Sequence, residues 1–237
     1  MPYTMTNITG LGAGLYQPPV IGSIVNGASE VPSAVSPGEI LTLHGADFGP
    51  PVPAGLTLDA SGKVNTTVDG VLVLFDGKPA PLLYASANQI NTIVPYEVTG
   101  NLTQIEVQNN GGPTIAWGVP VAPSAPGIFT GDSTGIGQAA VLNQDGSVNS
   151  ASNPAARGSV IQIFATREGV TVPAGVTASI TGSEVKTPVL PVDLTIGGLD
   201  AQLTFKGSAP HSVAGFVSSE CRRAYECDAR ARGSNRA

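Results

Sequence analysis

Ser133, flanked by Asp132 and by glycines at 131 and 135, fits the G-x-S-x-G pattern of a nucleophile elbow. In that motif a sharp strand-to-helix turn exposes the serine hydroxyl, and a histidine takes its proton. The chain holds two histidines, His44 and His211. A serine hydrolase of small esters or lactones would recruit one of them, with Asp132, Asp193 or Asp200 to orient it. Ser133 has a glycine two residues away on each side, which would let its backbone take unusual dihedrals. No helical pattern follows Gly135, however, and a chain with 30 glycines meets this five-residue pattern easily. A Gly-rich loop is therefore the preferred reading of the segment.

Asn143, Asp145, Ser147 and Asn149 place four oxygen-bearing side chains at alternate positions. Hard cations such as calcium take six to eight oxygens, and such spacing can wrap one. Calcium is thus the one cofactor the sequence suggests, and with Asp132 it offers a second route to hydrolysis through a polarised carbonyl. The pattern departs from an EF-hand loop, because Gly146 falls at the fourth position and no glutamate follows at the twelfth. The Asp145-Gly146 step has hairpin-turn chemistry, and a polar hairpin tip is the preferred reading.

The elements that would position these residues are strands. The run Val71 to Val98, VLVLFDGKPAPLLYASANQINTIVPYEV, reads as strand, turn, strand, loop, strand. Short extended runs punctuated by Gly and Pro recur throughout, and no long segment has the helical period. The chain is therefore expected to be all-β. Two blocks also repeat: PGEILTLHGADFG (37–49) aligns with RGSVIQIFATREG (157–169) at an offset of 120. VLFDGKPAPLLY (73–84) aligns with LTIGGLDAQLTF (194–205) at an offset of 121. Two tandem immunoglobulin-like β-sandwiches follow, with Trp117 and Tyr84 placed by alternation in the core. The expected layout is a lead segment over 1–17, a first sandwich over 18–122, a second over 127–217 and an irregular tail over 218–237.

These blocks resemble a known family. VSPGEILTLHGADFGP, NQINTIVPYEV, APGIF and LNQDGSVNSASNPAARGS are similar to the Solibacter-type uncharacterised C-terminal domain, found at the ends of large secreted proteins of Acidobacteria. The stretch from Gly38 to Gly49 is similar to immunoglobulin-like domains of the transcription-factor-immunoglobulin type. The resemblance implies the fold and a secreted setting, and it implies no chemistry. The family closes with another alternating strand, whereas here Phe216-Val217 runs into SSECRRAYECDARARGSNRA, which has no such alternation. The second sandwich is accordingly expected to lack its last strand.

Composition bounds the function. The net charge is −6, yet the last 18 residues hold five arginines against three acids, leaving an acidic body. That body offers no electrostatic footprint for nucleic acid. Both cysteines, Cys221 and Cys227, fall in the tail, so the body suits an extracellular protein that folds without disulfides. No apolar run is long enough to span a membrane, and the start, MPYTMTNITG, has no signal-peptide pattern. The expected function is a non-catalytic extracellular module, a spacer, adhesion or substrate-docking unit. Its partner would be a protein or polysaccharide at the cell surface. The alternative is the ester or lactone hydrolase above.

Overall fold

A computed structural model describes residues 17–113, 116–124, 126–213 and 216–222. The first unit carries β1 (Val20–Asn26), β2 (Ile40–Ala46), β3 (Ala54–Gly55), β4 (Thr67–Val68), β5 (Val71–Phe75) and β6 (Lys78–Pro79). It continues with β7 (Leu82–Ala85), β8 (Gln89–Ile93), β9 (Leu102–Asn109), β10 (Gly112–Pro113) and β11 (Trp117–Pro120). The second carries β12 (Gly127–Ile128), β13 (Val141–Asn143), β14 (Val160–Thr166), β15 (Thr171–Val172) and β16 (Thr187–Pro188). After these come β17 (Thr195–Ile196), β18 (Leu199–Asp200), β19 (Gln202–Ser208) and β20 (Phe216–Arg222). The chain is all-β, and none of the described residues forms a helix long and apolar enough to cross a membrane.

Two antiparallel sheets make the first sandwich. One runs β1-β2-β8-β7-β3, and the other runs β10-β9-β5-β4 with β11 on β9 and β6 on β5. Alternation decides which residues lie between them: Val71, Val73 and Phe75 of β5 are fully buried while Leu72 and Leu74 are half-buried. Ile105 and Val107 of β9, Leu43 of β2, Leu82 of β7 and Phe48 complete a dry core. Trp117 departs from the core position that alternation suggested. It begins the edge strand β11, whose one strand neighbour among the described residues is β9, and it is 42% exposed. Tyr84, beside a bulge in β7, is half-buried.

The second unit copies the first in register. β14 lies 120 residues after β2 at both ends, and the pairs Leu74↔Pro79 and Phe75↔Lys78 recur 121 residues on as Thr195↔Asp200 and Ile196↔Leu199. The bulge between Leu82 and Tyr84 recurs between Leu203 and Phe205. β20 sits between β14 and β19 as β8 sits between β2 and β7. This corrects the tail reading, because Ser218 to Arg222 were expected to be irregular and instead form most of β20. Pairing with a neighbour on each side fixes the strand, not its own alternation. Residues 1–16 of the lead segment, and Cys227 with the rest of 223–237, lie outside the described residues. Among the described residues of the second unit nothing corresponds to β9, the strand that pairs with β5. The core of this unit is small, built on Val141, Ile163 and Cys221.

Candidate functional site

The residues singled out for chemistry are dispersed. Ser133 is exposed at φ 59° in the turn that follows β12, and its amide donates to Thr130 O at 3.1 Å. Asp132 Oδ1 accepts from Thr134 Oγ1 at 2.9 Å and from Thr134 N at 3.2 Å, and the hydroxyl bond chiefly holds its carboxyl below the usual range. His44, at the end of β2, meets Glu30 Oε2 at 3.0 Å. His211 occupies a separate turn, where its amide donates to Thr181 O at 2.9 Å. Among the described residues no hydrogen bond joins either histidine to Ser133 or Asp132.

Asn143, Asp145, Ser147 and Asn149 do come together. Ser147 Oγ and N donate to Asp145 Oδ1 at 2.6 and 3.0 Å, and Asn149 Nδ2 donates to Asn143 Oδ1 at 2.8 Å. Asn143 Nδ2 and Asn153 Nδ2 reach Ser147 Oγ at 3.2 and 2.9 Å. The serine hydroxyl bond chiefly lowers the Asp145 carboxyl's affinity for a proton. The loop thus engages Asn143 Oδ1, Asp145 Oδ1 and Ser147 Oγ in its own hydrogen bonds and contributes one carboxylate. That donor set fits a hairpin tip better than a calcium cage, which draws on six to eight oxygens.

The densest polar chemistry lies where the two units meet, and the sequence reading missed it. Thr166 ends β14, and the next residues turn toward the first unit through Arg167 at φ 73° and Gly169 at φ 76°. Arg167 is 4% exposed, and its Nε lies 3.2 Å from Oε2 of Glu39, which is fully buried. Glu39 also accepts from Asn26 Nδ2 and from Ser36 N, each at 2.8 Å. Arg167 Nε donates to Ser36 Oγ at 3.0 Å and its Nη1 to Ser33 Oγ at 2.9 Å. Burial pushes the Glu39 carboxyl up to about 7, against the pull of the Arg167 guanidinium and these bonds. Satisfied on both oxygens, the pair has the geometry that compensates burial of two charges.

Four further contacts extend the junction. Ile40 N donates to Thr166 Oγ1 at 2.8 Å, Tyr96 N to Thr177 Oγ1 at 2.9 Å and Val64 N to Ala178 O at 2.8 Å. Tyr96 Oη donates to Glu168 Oε1 at 2.8 Å. The Tyr96 ring is gripped between Gly38 and Gly175, where a Cβ on either glycine would overlap it. Glu168 is 3% exposed, its Oε2 has no partner among the described residues, and burial pushes its carboxyl up to about 7. Beside it a cavity of about 390 Å³ opens between Ala165, Ser219 and Lys206 of the second sheet and the loop from Pro188 to Asp193. One signal for this junction was present in the sequence: Arg167-Glu168 interrupts the repeat where the first copy has Asp47-Phe48.

Fold and junction together define an immunoglobulin-like β-sandwich module. Residues 19–119 match the model of the IPT/TIG domain, and this is the part of the chain that holds the complete first sandwich. No curated protein matches the chain.

Proposed function

We propose that the protein is a non-catalytic extracellular module, one that holds two β-sandwich units in a fixed relation as a spacer, adhesion or substrate-docking unit. The observation that carries this reading is the buried Glu39–Arg167 pair with its hydrogen bonds from Asn26 and Ser36. Inter-domain contacts within a chain are ordinarily polar and mobile. A charge pair closed off from water is worth keeping only while both partners stay in place, so it disfavours hinge motion. The IPT/TIG match supports a binding module, and the cysteine-poor body and the Solibacter-type resemblance support a secreted parent. The partner class is a cell-surface protein or polysaccharide.

A panel of chromogenic esters and lactones, assayed in chelator and again with added calcium, tests the reading. The expected result is no turnover above buffer in either condition. Turnover abolished by Ser133→Ala would establish a serine hydrolase, and turnover abolished by chelator and by Asp145→Ala would establish a calcium-dependent one. Either outcome overturns the proposal.

A further inference from the structure

One atom of the junction is left unfinished. Tyr96 Oη donates to Glu168 Oε1 at 2.8 Å, while Oε2 of the same carboxyl is closed off from water and has no partner among the described residues. A buried acceptor without its bond costs free energy, and native chains keep few of them. Glu168 also lines the cavity of about 390 Å³, a volume in the range of small-molecule sites. The other polar groups of that lining are accounted for. Ser124 Oγ donates to Arg167 O at 2.9 Å, Thr166 Oγ1 accepts from Ile40 N at 2.8 Å, and Asp193, Lys206 and Ser219 reach solvent. The apolar wall includes Pro126, Pro188, Leu190, Pro191 and Val192. The fixed φ of its prolines leaves little to order when something binds. The segment that carries most of this wall is tied down, since Val189 N donates to Val170 O at 3.0 Å and Lys186 N to Ser208 Oγ at 3.0 Å.

We propose that this cavity binds a small neutral alcohol, whose hydroxyl meets Glu168 Oε2 while its apolar body lies on the proline-rich wall. Binding includes a small turn of the Glu168 carboxyl toward the cavity, and the bond then formed replaces the one that the free protein lacks. Charge selects a neutral occupant. Lys186 already favours ionised Glu168, Arg167 is committed to Glu39, and Asp193 and Lys206 line the cavity with opposite signs. An uncharged molecule enters without disturbing that balance. A hydroxyl also suits either form of the carboxyl, because it donates to a carboxylate and accepts from a carboxylic acid. Burial sets Glu168 at about 7, between the two forms at neutral pH. Since Glu168 stays bonded to Tyr96 of the first unit while the wall belongs mostly to the second, occupancy strengthens the junction. The site goes beyond the reading as a spacer, adhesion or docking module, for it takes a small molecule and needs no macromolecular partner.

The test titrates the full ¹⁵N-labelled chain with three probes of one body: cyclohexylmethanol, its methyl ether and cyclohexylmethylamine. Cyclohexylmethanol is expected to bind one to one and to shift the amide signals of Glu168, Asp193, Lys206 and Ser219. The ether keeps the body and loses the donor, and at a pH of about 8, with Glu168 mostly ionised, it is expected to bind at least about tenfold more weakly. The amine is expected to bind more weakly than the alcohol as well. Glu168→Met should lower the alcohol to the level of the ether, and if that variant fails to fold the probe series still decides. Leu190→Asp, on a partly exposed part of the wall, should weaken alcohol and ether alike. Equal binding of alcohol and ether, tightest binding of the amine, or shifts away from the cavity would overturn the proposal. So would no binding at all, which is the result if the chain itself fills the cavity.

Discussion

Phe48 and Glu168 stand at equivalent points of the 120-residue repeat, each one residue before the glycine that closes the block. Phe48 is fully buried within its own sandwich. Glu168 is almost as buried, yet its carboxyl faces the other unit and takes the hydroxyl of Tyr96. The neighbouring pair differs in the same sense. Asp47 caps the end of β2 at φ 57°, while Arg167, at φ 73°, enters the first unit to meet Glu39. The same backbone turn therefore ends a core in one copy and builds a junction in the other. Where the first unit fills this point with an apolar ring, the second makes polar contacts with its neighbour, and its order is expected to depend on them. The first unit lends Glu39, Ile40 N, Val64 N and Tyr96 to the same junction, but it has its own large apolar core between two sheets.

The sharpest way to break this contrast is to damage each core alone. Phe75→Ala should destabilise the first unit by roughly 3–5 kcal/mol, as large-to-small changes in a filled core do. Ile196→Ala, its counterpart on the half-covered face, should cost about 1 kcal/mol, because less surface leaves an apolar environment. Chemical denaturation of both variants checks the pair, and equal losses would mean the second core is as tight as the first.

Arg167→Ala acts on the junction instead. It strands Glu39 as a buried carboxyl without its cation, a change that typically costs about 3–5 kcal/mol, partly relieved here as Glu39 takes up a proton. The loss should appear in the second unit first, measured as faster amide exchange in β14 and β20 than in β5 and β9.

Stability should also depend on pH in a direction set by the two raised carboxyls. Glu39 and Glu168 move from an ordinary value of 4.5 to about 7, so the folded chain holds their protons more tightly than the unfolded one. Their contribution is fully present below about pH 4.5 and is lost as pH rises through about 7. For Glu168 the loss is roughly 3 kcal/mol at most. The charges around it are Lys186, which favours ionisation, Lys206 and Asp193 along the cavity, and Arg167 next to it in the chain. Glu168→Gln should therefore flatten the fall in Tm between acid and neutral pH and raise Tm above neutrality. A Tm that climbs across this range would contradict the assignment.

Much of this architecture was legible in the chain because it rests on local chemistry. The β5–β6 hairpin and its copy announce themselves through Gly77 and Gly198, both at positive φ, with apolar alternation on either side. β20 was not legible. Its inward positions include Ser219 and Cys221, small residues that give no hydrophobic alternation, and its place is set by β14 and β19. Trp117 misled for the converse reason, since alternation assigns a face but not whether that face is covered at a sheet edge. The junction was hidden by distance: Glu39 and Arg167 are brought together across 128 positions, and the repeat blocks that contain them give no sign that one faces the other. Ser133 and the Asp145 loop drew notice because short patterns are visible in sequence, whereas a convergent site is not.

The dependence of the second unit on the junction can be read directly from two natural probes in one urea titration. Trp117, the one tryptophan, reports on the first unit by fluorescence, and in a Cys227→Ser background, which leaves a single cysteine, the buried thiol of Cys221 reports on the second by its reaction with a disulfide reagent. With Arg167 in place both probes should change at the same urea concentration. In Arg167→Ala the thiol should react at clearly lower urea while the Trp117 midpoint stays close to its original value. Independent midpoints with Arg167 in place, or a thiol midpoint that Arg167→Ala leaves unchanged, would contradict the account.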